Sequence, residues 1–345
     1  MNDMECNGSQ SRTVTRLQDL NDDVLREILD VIPTGRPWQQ TLSQAELHGN
    51  APTQKPPSDL VNFCSTCHRL RDLGTSYIFS AASLTPYSNG RQASSSLQLI
   101  SRSPVASRWV RSFSIVLFHD VPPDFGRNLC AALQHLSAMH DLTLVLPEQS
   151  RPLVRTSLQH ARLCLPQVKT LAFMPFDTGG HLFHFAGTVL SAFPGLTSLT
   201  VRKAFEEALP FFGLDERMRE FLSLVCRIHL RNLQSLILQL SGTPSDYVSG
   251  FNIHLPNLTF LHLKDFHWAE NKEEIAAKLP TSFPKLSYLH LGVKTISDDS
   301  QSWEYEREEA AEMLFGGQCK CLQKVCFDGT HDFTRERMSL ATTYG

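Results

Sequence analysis

The sequence predicts an α/β protein with two parts. A short all-α segment near the N-terminus is followed by a solenoid whose parallel sheet lines a concave face. Three observations predict this. One apolar phrase recurs between residues 105 and 330, the phrase alternates as a one-sided strand does, and helix-like stretches separate its copies.

The phrase begins with a large apolar residue, often followed by Pro, and places apolar residues at its fourth, seventh and ninth positions. It reads Leu165-Pro166-Gln167-Val168, then Leu171 and Phe173. It returns as Phe193-Pro194-Gly195-Leu196 with Leu199 and Val201, and as Leu230, Leu233, Leu236 and Leu238. Two further copies are Leu255-Pro256-Asn257-Leu258 with Leu261 and Leu263, and Phe283-Pro284-Lys285-Leu286 with Leu289 and Leu291. Weaker copies centre on Phe113, Leu142 and Val325.

Taking the seventh position as anchor gives 113, 142, 171, 199, 236, 261, 289 and 325, with gaps of 29, 29, 28, 37, 25, 28 and 36. The seventh and ninth residues alternate with polar or small ones, so each copy is a strand with one buried face. Between copies, Asp215–Leu230 carries Met218, Phe221, Leu222, Val225 and Ile228 three or four apart, and Trp303–Phe315 ends at Gly316, a helix stop. Parallel strands need such crossovers, and stacked units bury their apolar faces only against their neighbours. An ordinary α/β domain with parallel strands is the alternative reading.

This phrase resembles the longer, irregular kind of leucine-rich repeat. The Asn or Cys that the family carries three places beyond the ninth residue is replaced by Ala204, Ser241, Phe266 and Lys294, so other groups must satisfy the backbone at that corner. In such repeats the sixth, eighth and tenth residues face the concave surface, because strand side chains alternate. The resemblance therefore points to Arg202, Gln239, Phe260, His262, Lys264, Tyr288, His290 and Lys324 as substrate-binding positions. If the last strands are neighbours, Phe260 lies about 5 Å from Tyr288, and His262 likewise from His290.

Ahead of the repeats, residues 1–15 read as a tail, and Asn21 caps a helix with Asp22 and Asp23 at the favourable end of its dipole. Leu20, Val24, Ile28 and Ile32, with Leu25 and Leu29, give it a broad apolar face, and Pro33 ends it. Residues 33–57, rich in Pro, Gln, Thr and Gly, read as a long loop. Ser58 then caps a second helix carrying Leu60, Phe63, Cys64, Cys67 and Leu70. Helices totalling under about fifty residues bury too little area to stand alone, so they need a partner surface or serve as the cap of the solenoid.

Leu20-Asn21-Asp22-Asp23-Val24-Leu25-Arg26-Glu27-Ile28-Leu29 resembles the opening of an F-box. Cys64 to Leu73, with Tyr77-Ile78-Phe79, resembles its closing half. Asn21 stands where the family has Pro, and the loop between helices is about twenty residues longer, an insertion costing about 1.5 kcal/mol of closure entropy. Residues 16–85 thus look like an F-box, and with the repeats the chain is similar to F-box proteins of filamentous fungi. The resemblance implies a Skp adaptor of a cullin–RING ubiquitin ligase as partner. It assigns that contact to Leu17, Leu20, Val24, Leu25, Ile28, Leu29, Leu60, Phe63, Cys64 and Cys67, and the repeats to a protein substrate. A leucine-rich scaffold outside any ligase is the alternative.

Several strings suggest chemistry without its requirements. Cys64-Ser65-Thr66-Cys67-His68 matches a c-type haem attachment site, but the cysteines fall where a core helix wants small apolar residues. Cys319, Cys321, Cys326 and His331 lack the usual turn of a zinc site. His181 and His184 have no third ligand nearby in sequence. Asp177-Thr178-Gly179 occurs once, whereas aspartic proteases need two aspartates. No enzymatic chemistry, cofactor or metal is expected.

Composition sets the remaining expectations. Hydrophobic residues at 41% suffice for a core, and a net charge of −3 without a Lys/Arg-rich run argues against nucleic-acid binding. No stretch approaches the roughly 18 apolar residues of a membrane span. Nine irregularly spaced cysteines and a polar N-terminus free of an apolar signal core point to reduced thiols, hence to cytosol or nucleus. Residues 331–345 read as a C-terminal tail.

Overall fold

The computed structural model describes residues 20–31, 58–84, 90–174, 182–201, 214–229, 232–239, 254–266, 272–293, 300–316, 320–327 and 332–335. Leu17, Arg202, the 33–57 loop, the 1–15 tail, His181, Cys319, His331 and Asp177-Thr178-Gly179 lie outside these residues. Among the described residues the protein is α/β, with eleven helices and one ten-stranded, mostly parallel sheet. The chain divides into two compact units, residues 1–81 and 82–345.

The first unit holds α1 (Asp22–Val31), α2 (Ser58–Ser65) and α3 (His68–Ile78). Asn21 caps α1 as its sequence predicts: the Val24 N–H donates to Asn21 Oδ1 at 2.8 Å. Leu25, Leu29, Phe63, Cys64 and Leu70 form a small closed core, with Leu20, Cys67, Leu73, Tyr77 and Ile78 packed around it. Arg69 of α3 donates to Asp22 Oδ1 and to the Leu20 carbonyl, tying α3 to the start of α1.

The single helix expected after Ser58 is two. Ser65 Oγ and Thr66 Oγ1 donate back to the carbonyls of Asn62 and Phe63 at 2.8 and 2.7 Å, which competes with helix propagation. Cys67 is extended, and its sulfur accepts from the Leu70 N–H, so it starts α3 as a cap. The Cys-x-x-Cys-His string therefore straddles a helix–helix joint.

The second unit opens with β1 (Ala81–Leu84), α4 (Gly90–Ile100) and α5 (Pro104–Trp109). Strands and helices then alternate: β2 (Ser112–Val116), α6 (Phe125–His135), β3 (Asp141–Val145), α7 (Arg151–Ala161), β4 (Thr170–Phe173), α8 (Leu182–Ser191), β5 (Ser198–Val201) and α9 (Leu214–His229). The series continues through β6 (Ser235–Gln239), β7 (Phe260–Phe266), α10 (Lys272–Ser282), β8 (Tyr288–Val293), α11 (Ser300–Gly316), β9 (Lys324–Phe327) and β10 (Asp332–Thr334). The strands lie in the sheet in chain order. Neighbouring helices pack in the same order, α4 on α6, α6 on α7, α7 on α8 and α8 on α9.

From β2 to β9 the strands are parallel and in register. Phe113, Leu142, Leu171, Leu199, Leu236, Leu261, Leu289 and Val325 form one unbroken ladder of Cα partners, and all eight are buried. The intervals of 25 to 37 residues differ only in the length of crossover between rungs; each anchor still meets the next.

A second ladder runs just before the strands. The carbonyls of Arg111, His140, Lys169, Thr197, Gln234, Thr259 and Ser287 each accept two backbone N–H groups from the following rung, at 2.7 to 3.1 Å. Thr197, Thr259 and Ser287 hydroxyls add bonds to the same series of carbonyls. This backbone ladder joins rung to rung, and the Asn232 side-chain amide adds a bond to the Pro194 carbonyl at 3.0 Å. At Gly195 the turns approach so closely that a Cβ would lie 1.9 Å from the Pro166 carbonyl oxygen, so glycine is required there.

The unit extends beyond the predicted 105–330 at both ends. Leu84, Ala93 and Leu97 share its core, and α4 packs on α6. At the other end Asp332–Thr334 is not a tail: β10 pairs antiparallel with β9, and Phe333 packs edge-on against Phe327 at 5.8 Å. Arg335 fastens it further, its Nε donating to the Leu322 carbonyl at 2.9 Å.

Candidate functional site

The side chains opposite the buried anchors form two rows across the sheet. One reads Ser112, Asp141, Thr170, Ser198, Ser235, Phe260, Tyr288 and Lys324; the other reads Ser114, Thr143, Ala172, Thr200, Ile237, His262, His290 and Cys326. The first five rungs carry mostly small residues, and the last three carry rings, a cation and a thiol. Large planar groups on neighbouring parallel strands stack because ring thickness and strand spacing agree.

The pairs expected from spacing form as rings in contact. Phe260 and Tyr288 stack with centroids 4.9 Å apart and planes 12° from parallel. His262 and His290 stack at 3.9 Å and 4°. The Lys324 ammonium lies 5.4 Å from the Tyr288 ring centre, on the next rung. Asp332 of β10 forms an ion pair with Lys324. That contact holds the Asp332 carboxyl below the usual carboxylate range, with Cys326 contributing. Burial pushes the Tyr288 hydroxyl up to about 12, with Cys326 and Asp332 adding to it. The Cys326 thiol is raised as well, by burial first and by Asp332 next.

No family model matches the chain, and no curated protein matches it.

Of the predicted substrate positions, Phe260, Tyr288, His290 and Lys324 are part-exposed and adjacent. His262 is a correction: it is 8% exposed, held between Ile237 and His290, so it supports the surface more than it presents one. Gln239 and Lys264 are register partners on β6 and β7. Of the two further groups at this end of the row, the alternation of the phrase reaches Cys326 but not Asp332. Asp332 had no sequence signal, since three residues are too few to show a period, whereas Cys326 sits at an eighth position of the phrase and was legible there.

In the first unit, Leu25, Leu29, Phe63 and Cys64 are buried in the unit's own core, and Leu20 and Cys67 pack against it. Their predicted role as free docking surface is corrected: apolar faces that read as open in sequence are closed by each other. Ile28 lies in α1 and Leu60 in α2. Among the described residues of this unit, the exposed large apolar side chains are Val24 at 39%, Val61 at 43% and Phe79 at 46%. Val24 is the one predicted adaptor residue among these three.

Among the described residues, no group of three or more His, Cys, Asp or Glu side chains is placed to hold a metal ion. No described helix is long and apolar enough to cross a membrane.

Proposed function

We propose that the chain is the substrate-recognition subunit of a Skp–cullin–F-box type ubiquitin ligase, acting in cytosol or nucleus. The first unit binds the Skp adaptor, and the sheet of the second holds a protein substrate. The mechanism is positional and needs no catalytic residue: a rigid surface keeps the target where a ubiquitin-loaded enzyme reaches its lysines. The observation that carries this reading is the in-register ladder of eight anchors, which supports a leucine-rich-repeat array in the second unit.

The ring-rich rungs of β7 to β9 supply the chemistry of a protein interface, since part-exposed aromatics beside polar groups are its usual anchors. For the adaptor, Val24, Val61 and Phe79 are exposed apolar residues among those described. A second reading, a leucine-rich scaffold whose helical unit is a cap, draws on the burial of Leu25, Leu29, Phe63 and Cys64 within that unit.

Co-purification of the full chain with the Skp adaptor tests the proposal. Val24→Asp and Val61→Asp should abolish it while leaving the helical unit folded, which Leu25→Asp would not. Absence of adaptor from the wild-type chain would favour the scaffold.

A further inference from the structure

The order of side chains along one row of the sheet carries an inference that rests on the reading of this face as a partner-binding surface. Tyr288 is covered on one side by Phe260 and on the other by the Lys324 ammonium. Among the described residues, Phe260 has a ring against one of its faces only. Among the described residues Tyr288 is the one ring stacked on it, and its opposite neighbour in register is Ser235, with Ser198 one rung further. Both serines stop at a hydroxyl, so the row steps from ring height to hydroxyl height at Phe260. Phe260, Ser235 and Ser198 are all part-exposed.

We infer that this step is a subsite for a planar cation, the guanidinium of an arginine presented by the partner. The face of a benzene ring is its electron-rich side and attracts cations. A guanidinium is flat, loses little hydration, and stacks on a ring while its N–H groups stay in plane to donate. The hydroxyl oxygens of Ser235 and Ser198 are acceptors at that level. A lysine ammonium is compact and strongly hydrated, and it has no face to match the ring. An acidic group is disfavoured, because the cation of this row, Lys324, already pairs with Asp332 and lies beyond Tyr288. The net charge of −3 acts in the same direction. In row order, the stack would then run from guanidinium through Phe260 and Tyr288 to ammonium, a cation on each end of a pair of rings.

The test uses the full chain and small probes, so it is independent of any ligase partner. N-acetyl-arginine amide, N-acetyl-lysine amide and N-acetyl-tyrosine amide are titrated at millimolar concentration against protein with carbon-13-labelled Phe and Tyr rings, followed by NMR. The arginine probe should shift the Phe260 ring signals most, and the lysine probe should shift them far less. Phe260→Leu should abolish the response. Ser235→Tyr, which fills the step with a ring of the chain itself, should block it in a protein that keeps the stack. Equal responses to arginine and lysine would reduce the effect to charge and overturn the inference. A larger response to the tyrosine probe, or an arginine response surviving Ser235→Tyr, would overturn it too. Loss of adaptor co-purification would sink the ligase reading and leave these titrations untouched.

Discussion

The imidazole of His290 lies flat on that of His262, with 3.9 Å between ring centres and 4° between planes. The two residues are Cα partners on β8 and β7, so the contact is fixed by strand register. Stacked aromatic pairs contribute about 0.5–1.5 kcal/mol beyond area burial. A double-mutant cycle of His262→Ala and His290→Ala, followed by urea unfolding, should return a coupling energy in that range. Strict additivity of the two losses would mean that the rings only abut.

The buried ladder makes a larger prediction. Leu199 and Leu236 are fully buried register partners at the middle of the sheet, each flanked by anchors on both sides. Removing a buried leucine side chain costs its transfer energy plus a cavity, about 2–5 kcal/mol. Leu236→Ala should lower the unfolding free energy measured in urea by that amount, while Thr200→Ala on the opposite face should change it by less than about 0.5 kcal/mol. Similar effects for both would mean that the faces are assigned the wrong way round.

Much of this was legible in sequence, and the reasons are physical. A one-sided strand must bury two alternating residues, so Leu171 with Phe173 or Leu289 with Leu291 announce both strand and face. The same register brought Phe260 to Tyr288 and His262 to His290. Burial of a particular ring was not legible, because His262 depends on Ile237 of another strand. The break at Thr66 and Cys67 was hidden, since it arises from two hydroxyls bonding backward inside an otherwise helical pattern. The N-terminal apolar faces had two possible fates. Leu25 and Phe63 could pack on each other or on a partner, and hydrophobic spacing reads the same either way.

The close approach of two turns predicts a backbone effect. A methyl group on residue 195 would collide with the Pro166 carbonyl at 1.9 Å, and a backbone atom cannot swing aside as a side chain can. Gly195→Ala should therefore destabilise the sheet unit, although an exposed Gly→Ala change ordinarily stabilises by about 0.4–1 kcal/mol. The sign of the change in thermal midpoint decides it.

Tyr288 predicts an alkaline effect. Its hydroxyl is held protonated to about 12, chiefly by burial, whereas an unfolded tyrosine ionises near about 10. The folded chain thus binds more protons than the unfolded chain between those values, and stability falls as pH rises through them. Spectrophotometric titration at tyrosinate wavelengths should show one late component that Tyr288→Phe removes. A profile identical in the variant would place Tyr288 among the ordinary tyrosines.

At the acid end the corresponding device is Asp332, whose carboxyl is depressed by its hydrogen bond to Lys324 and by Cys326. A carboxyl with a folded value below its unfolded value, about 3.9, stabilises the fold above that value and loses its effect as pH falls through the folded one. Because Asp332 is half exposed, the gain is a small one, screened by water and salt. It acts on β10, three residues also held by their backbone pairing to β9, by Phe333 against Phe327 and by the neighbouring Arg335 on the Leu322 carbonyl. Acid should therefore loosen this last strand ahead of the rest of the sheet. Amide protection factors, which correct for the slower intrinsic exchange in acid, should fall at residues 332–334 below about pH 4 while Leu236 and Leu261 stay protected, and Asp332→Asn should give the low protection already at neutral pH. Uniform exchange along the sheet in acid would show that β10 is held by its apolar contacts and that the ion pair contributes nothing.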